Sequence, residues 1–144
     1  MPTPLAIGRF NHATLNCRDV GRSVAFYRDL LGLRQMKRPP FSFAGAWLYR
    51  DGLGMMIHLN EIQDLPSLPD DIQTRHRHLA FRAEDFDATL ADLRERGIPF
   101  VERTLPDLGY RQAFFHDPDG NIIELGEWPD VEDLIQRENL ELDG

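Results

Sequence analysis

The order of apolar and polar positions divides the chain into two similar runs. From Gly8 to Asn16 the two kinds alternate, with Ala13 and Leu15 on one side and His12, Thr14 and Asn16 on the other. That period predicts a half-buried strand. The period then lengthens. Val24, Tyr27 and Leu31 recur at helical spacing over Val20–Leu31, Asp19 is placed to cap the start, and Gly32 to stop the end. Leu33–Arg38 reads as a short strand closed by Pro39-Pro40. Ala46–Arg50 and Met55–Glu61 read as a hairpin around Asp51-Gly52-Leu53-Gly54. Ile62–Thr74, with Pro66, Pro69 and several acids, reads as a linker.

The same order then returns. Arg75–Arg82 is a predicted strand, with Leu79 and Phe81 opposed to His76, His78 and Ala80. Asp85–Arg96 is a predicted helix with Phe86, Leu90 and Leu93 inward, stopped by Gly97. Pro99–Arg103, Arg111–His116 and Asn121–Gly126 are predicted strands, and Asp117-Pro118-Asp119-Gly120 has strong turn chemistry. Pro129 ends this run. Asp130–Asn139 reads as a short acidic helix, with Val131, Leu134 and Ile135 on one side, that packs on the body or on a partner.

The two runs match at a constant spacing. Asp51 and Asp117, Gly54 and Gly120, Ile57 and Ile123, and Leu59 and Leu125 each lie 66 residues apart. So do His12 and His78, and so do His58 and Glu124. Such self-similarity predicts repeated structural units. The reading is an α+β fold of two tandem βαβββ modules: residues 7–61 and 75–128, joined by a linker at 62–74 and followed by an acidic tail at 129–144. Helices cover one face of each mixed sheet. The other faces, carrying His12, Thr14, Asn16, Met56, His58, Asn60, His78, Ala80 and Glu124, would line a cup on which His12, His58, His78 and Glu124 converge. Glu124 inside a β-branched strand is costly unless paired, hydrogen-bonded or bound to a metal.

Composition narrows the classes. The chain has 144 residues, 42% of them hydrophobic, and a formal net charge of −8. No basic arm or stripe is present, which argues against nucleic acid as a partner. The single cysteine, Cys17, leaves no internal disulfide and suits a reducing cytoplasm. The start, Met1-Pro2-Thr3-Pro4-Leu5, lacks the features of a signal peptide, and no apolar run reaches membrane-spanning length.

The segments N-H-A-T-L, S-V-A-F-Y-R-D-L-L-G-L, H-L-A-F and F-F-H-D-P-D-G-N-I-I-E-L resemble the vicinal oxygen chelate superfamily, over roughly Ile7–Trp128. Its members include glyoxalase I, fosfomycin-resistance thiol transferases, methylmalonyl-CoA epimerase, extradiol dioxygenases and bleomycin-binding proteins. The resemblance implies that His12, His78 and Glu124 hold a divalent ion (zinc, nickel, manganese or iron), the set of fosfomycin-resistance enzymes and extradiol dioxygenases. It places His58 where glyoxalase I has a glutamate that binds metal and moves the substrate proton. An imidazole there can ligate or act as a base.

The function expected is therefore a cytoplasmic, divalent-metal-dependent lyase or isomerase of the glyoxalase-like kind, acting on a small organic substrate with vicinal oxygens. Its metal set is His12, His58, His78 and Glu124, with His58 and Glu124 catalytic. The alternatives are an Fe(II) dioxygenase using two histidines and a glutamate, and a metal-free drug- or metabolite-binding protein. His76 is expected on the surface or supporting a ligand, and His116 is expected to be structural. Phe41, Phe43, Trp47, Tyr49, Met56 and Phe115 are candidate pocket walls, and Arg38, Arg103 and Arg111 candidate anchors for an anion. A twofold homodimer with shared sites is expected, His12 and His58 from one chain and His78 and Glu124 from its mate.

Overall fold

A computed structural model of the chain describes residues 2–140. Residues 141–144, the end of the expected acidic tail, lie outside the described part. The chain divides into two compact units, Met1–Ser67 and Leu68–Gly144, so the boundary falls inside the 62–74 segment. Each unit is α+β and carries one four-stranded mixed sheet.

In the first unit the elements are β1 (His12–Cys17), α1 (Val20–Leu31), β2 (Arg34–Met36), β3 (Gly45–Tyr49) and β4 (Met56–Glu61). The sheet order is β1-β4-β3-β2, with β1 parallel to β4 and the other pairs antiparallel. The Asp19 side chain accepts from the Arg22 amide at 3.0 Å and starts α1. The Glu61 carboxylate accepts from the Val20 amide and ties the helix start to β4. Gly32, at φ 70°, closes the helix in the left-handed region, where a side chain would be strained. Tyr27 of α1 is buried with Cys17, Leu33, Ala46, Leu48, Ile57 and Leu59, as is Ser23 of the same helix, a polar residue the apolar pattern does not single out.

The second unit repeats the plan with β5 (His78–Arg82), α2 (Phe86–Glu95), β6 (Val101–Thr104), β7 (Arg111–His116) and β8 (Ile122–Gly126). Its order is β5-β8-β7-β6, again with one parallel pair, β5 with β8. Asp85 caps α2 by accepting from the Ala88 amide. The repeat extends to register: Thr14 pairs with His58 in the first sheet, and Ala80 with Glu124 in the second. The turn between β7 and β8 is held by Asp117. Its Oδ1 accepts from the amides of Asp119 and Asn121, and its Oδ2 from the Asn121 side chain. A further helix, α3 (Val131–Arg137), buries none of its residues, and Glu138 just beyond it accepts from the Tyr110 hydroxyl.

Several elements are shorter than the alternation predicts. β1 begins at His12 rather than Gly8, and β5 at His78 rather than Arg75. Alternation extends into the approach to each strand, but pairing starts only where a partner strand lies alongside. Met56 opposes His12, and Ile122 opposes His78, so the ladders begin at the two histidines.

Candidate metal centre

His78 and Glu124 meet in the second unit. They stand on neighbouring parallel strands, and His78 Nε2 lies 3.2 Å from Glu124 Oε1. Two donors held about 2.0–2.2 Å from one ion at ordinary coordination angles lie about 3.0–3.5 Å apart, so this pair is spaced as two ligands of one ion would be. The ring is oriented from behind: His78 Nδ1 lies 2.7 Å from the backbone carbonyl of His76. A carbonyl only accepts, so Nδ1 carries the proton and Nε2 is left to face the carboxylate. His76 thus serves through its backbone.

Glu124 is 1% exposed, far more enclosed than a residue on an open sheet face. Its Oε1 accepts from Gln112 Nε2 at 3.1 Å, and its Oε2 accepts from the Trp128 indole N–H. Gln112 Oε1 is buried without a hydrogen-bond partner among the described residues. Neither Gln112 nor Trp128 is singled out by the repeat, because the matching positions 46 and 62 of the first unit hold Ala and Ile. Phe114, edge-on to His78 at 5.5 Å, shares the Glu124 face. Phe115 does not: it pairs with Ile123 on the opposite face and is fully buried in the core, which removes it from the pocket walls.

His12 and His58 meet in the first unit, but differently. Their rings are stacked, with centroids 3.8 Å apart and planes 12° from parallel. Trp47 stacks on His58 in turn, at 4.8 Å and 12°. A metal–imidazole bond lies close to the ring plane, and two nearly parallel planes at this separation do not meet at one ion. His12 Nδ1 lies 2.7 Å from Asn11 Oδ1, an acceptor that leaves the lone pair on Nε2 as the His76 carbonyl does for His78. His58 Nε2 is buried without a hydrogen-bond partner among the described residues. Burial chiefly, then the nearby His12 and Arg38, holds the His58 pKa below its ordinary value of 6.5.

The aromatic run continues through Phe41 and Phe43, which stack at 5.4 Å, with the Arg38 guanidinium over both rings. Arg111 is engaged in ion pairs: its guanidinium meets Glu127 at 3.0 Å and Asp87 at 2.9 Å. Among the described residues no three His, Cys, Asp or Glu side chains gather as a metal-holding group; each unit by itself supplies a pair. The donor chemistry nonetheless suits a divalent ion, since each pair member with a fixed tautomer presents Nε2 and the carboxylate keeps Oε1 beside it.

The family model described as the Glyoxalase/Bleomycin resistance protein/Dioxygenase superfamily matches residues 9–125, and the chain belongs to this superfamily. It is 36% identical over 127 residues to Glyoxylase I 4 of Arabidopsis thaliana, covering 85% of this chain and 72% of that one. It is 29% identical over 126 residues to the metallothiol transferase FosB of Staphylococcus saprophyticus, covering 83% and 76%. The crystal structure of a glyoxalase/dioxygenase from Nostoc punctiforme shares its fold, with a TM-score of 0.69 at 24% identity over 90% of this chain and 99% of that one.

Proposed function

We propose that the protein is a divalent-metal-dependent lyase or isomerase that removes and returns a proton beside a carbonyl of a small substrate with vicinal oxygens. The observation that carries this reading is the His78–Glu124 pair, a tautomer-fixed Nε2 set 3.2 Å from a buried carboxylate oxygen. A divalent cation held between its members would take one donor from each. In the shared-site homodimer proposed for this chain, the partner subunit's His12 would supply the third ligand, with Nδ1 held by Asn11. When bound, the ion would polarise the substrate oxygens and stabilise the negative charge that develops on them.

The chain's own residues supply the rest. His58, stacked between His12 and Trp47, is a base in the wall and not a fourth ligand; its buried Nε2 is the proton acceptor. Trp47, Phe41 and Phe43 give a planar substrate a surface to lie on. A dioxygenase is the second reading: with His58 held in its stack and outside the ligand set, two histidines and one carboxylate would leave open positions on an Fe(II) ion.

The test is solvent exchange. Protein loaded in turn with Zn²⁺, Ni²⁺, Mn²⁺ or Fe²⁺ is incubated in D₂O with α-hydroxy ketones and thiohemiacetals, and deuterium uptake at the carbon beside the carbonyl is followed by NMR. Metal-dependent uptake that His58→Ala abolishes is expected. Oxygen consumption without uptake would replace this reading with the dioxygenase one, and neither would overturn both.

A further inference from the structure

Glu124 is gripped on the side away from His78, and the backbone is shaped to allow it. The Trp128 indole N–H donates to Oε2, while Oε1 faces His78 Nε2 and accepts from Gln112. Trp128 reaches this oxygen by crossing over Gly126. A Cβ at position 126 would lie 2.7 Å from the indole nitrogen, 2.8 Å from its Cδ1 and 3.1 Å from Glu124 Oε2. Those distances are below contact, and the rigid ring has no flexible end that could give way. Nothing unusual in the Gly126 backbone calls for glycine: its φ is not among the positive values. The missing side chain is needed for the indole.

We propose that Gly126 and Trp128 act together as a positioning device that makes Glu124 a one-oxygen metal ligand. The indole occupies Oε2, so Oε1 alone is left for the ion beside His78. A free carboxylate can swing to bind through both oxygens and fill a position that a bidentate substrate needs. Pinning Oε2 prevents that. Gln112 steadies Oε1 from the neighbouring strand. The first unit has no such device: His58 stands where Glu124 does, and Asn60 where Gly126 does. This inference rests on the metal-binding reading above for its consequence, but the grip itself exists without metal.

Two measurements separate those parts. In metal-free, full-length protein, the Trp128 indole ¹H–¹⁵N resonance is expected far downfield of Trp47, and expected to move upfield in both Glu124→Gln and Gly126→Ala. A Trp128 resonance that neither change moves would overturn the grip. With Co²⁺ as probe, Trp128→Phe keeps the ring and removes the donor, and Gly126→Ala keeps the donor and displaces it. Both are expected to weaken Co²⁺ binding about 10–100-fold, the usual effect of losing a group that orients a ligand. X-ray absorption is expected to report one carboxylate oxygen in the parent and two in the variants. Unchanged affinity and an unchanged single oxygen in both folded variants would overturn the positioning role. A parent that binds no Co²⁺ would overturn the metal reading while leaving the grip to the NMR result.

Discussion

At the scale of single residues, the four positions paired across the 66-residue repeat make two kinds of contact that the sequence does not distinguish. His78 and Glu124 approach as two ligands do, whereas His12 and His58 stack. Glu124→Ala and His78→Ala should therefore each weaken divalent-metal binding at least about 100-fold, and His58→Ala should leave it within about twofold while abolishing proton exchange; competition with a fluorescent chelator measures the first and NMR the second. Loss of metal on His58→Ala would return that residue to the ligand set. That His12 meets His58 and His78 meets Glu124 was legible in part, because turns, apolar residues and ligand types recur together. Gln112 and Trp128 were not. Each reaches Glu124 through folded geometry, one across the β7–β8 ladder and the other by doubling back over Gly126, and neither leaves a periodic trace. Phe115 misled in the same way, because an aromatic pair, Phe114 and Phe115, shows no preference in sequence for which ring enters the core.

At the scale of elements, the caps and turns carry testable weight. Asp85 satisfies an amide in the first turn of α2, and Asp85→Ala should cost about 0.5–2 kcal/mol, read as a lower urea midpoint with an unchanged slope. The ion pair of Arg111 with Glu127 predicts a pH effect. The Arg111 side chain chiefly, and its backbone amide, hold the Glu127 carboxyl below its ordinary value of 4.5. A carboxylate with a depressed folded-state pKa contributes stability that is fully present above its unfolded value and is lost as pH falls through the folded one. Glu127→Gln should therefore flatten the fall of the thermal midpoint below about pH 4.5 and leave its slope with pH near neutrality unchanged. Helix limits were the most legible feature: Asp19, Gly32, Asp85 and the Gly97 stop mark them with local chemistry. Strand limits were less so, because alternation continues for three or four residues beyond the first ladder pair at both His12 and His78.

At the scale of the molecule, the two sheets share one topology and one register, which is the structural form of the sequence repeat. No helix among the described residues is long and apolar enough to cross a membrane. Ahead of β1, Leu5, Ile7 and Phe10 are each more than four-fifths exposed. Apolar surface of this kind favours association, and a twofold homodimer that shares its sites is the assembly proposed. Sedimentation should then give a dimer. Mixing His12→Ala chains with Glu124→Ala chains should restore activity, because half of the sites in a heterodimer carry both intact partners. A monomeric mass, or no recovery after proven subunit exchange, would contradict shared sites.

The central claim is that His78 and Glu124 are two ligands of one divalent ion. Crystals of the intact protein loaded with Co²⁺ or Zn²⁺, with data collected at the metal absorption edge, test it most directly. The predicted result is one anomalous peak per chain, about 2.0–2.2 Å from both His78 Nε2 and Glu124 Oε1, with Glu124 Oε2 still on the Trp128 indole. A protein that takes up no ion at stoichiometric occupancy, or an ion bound away from this pair, would contradict it.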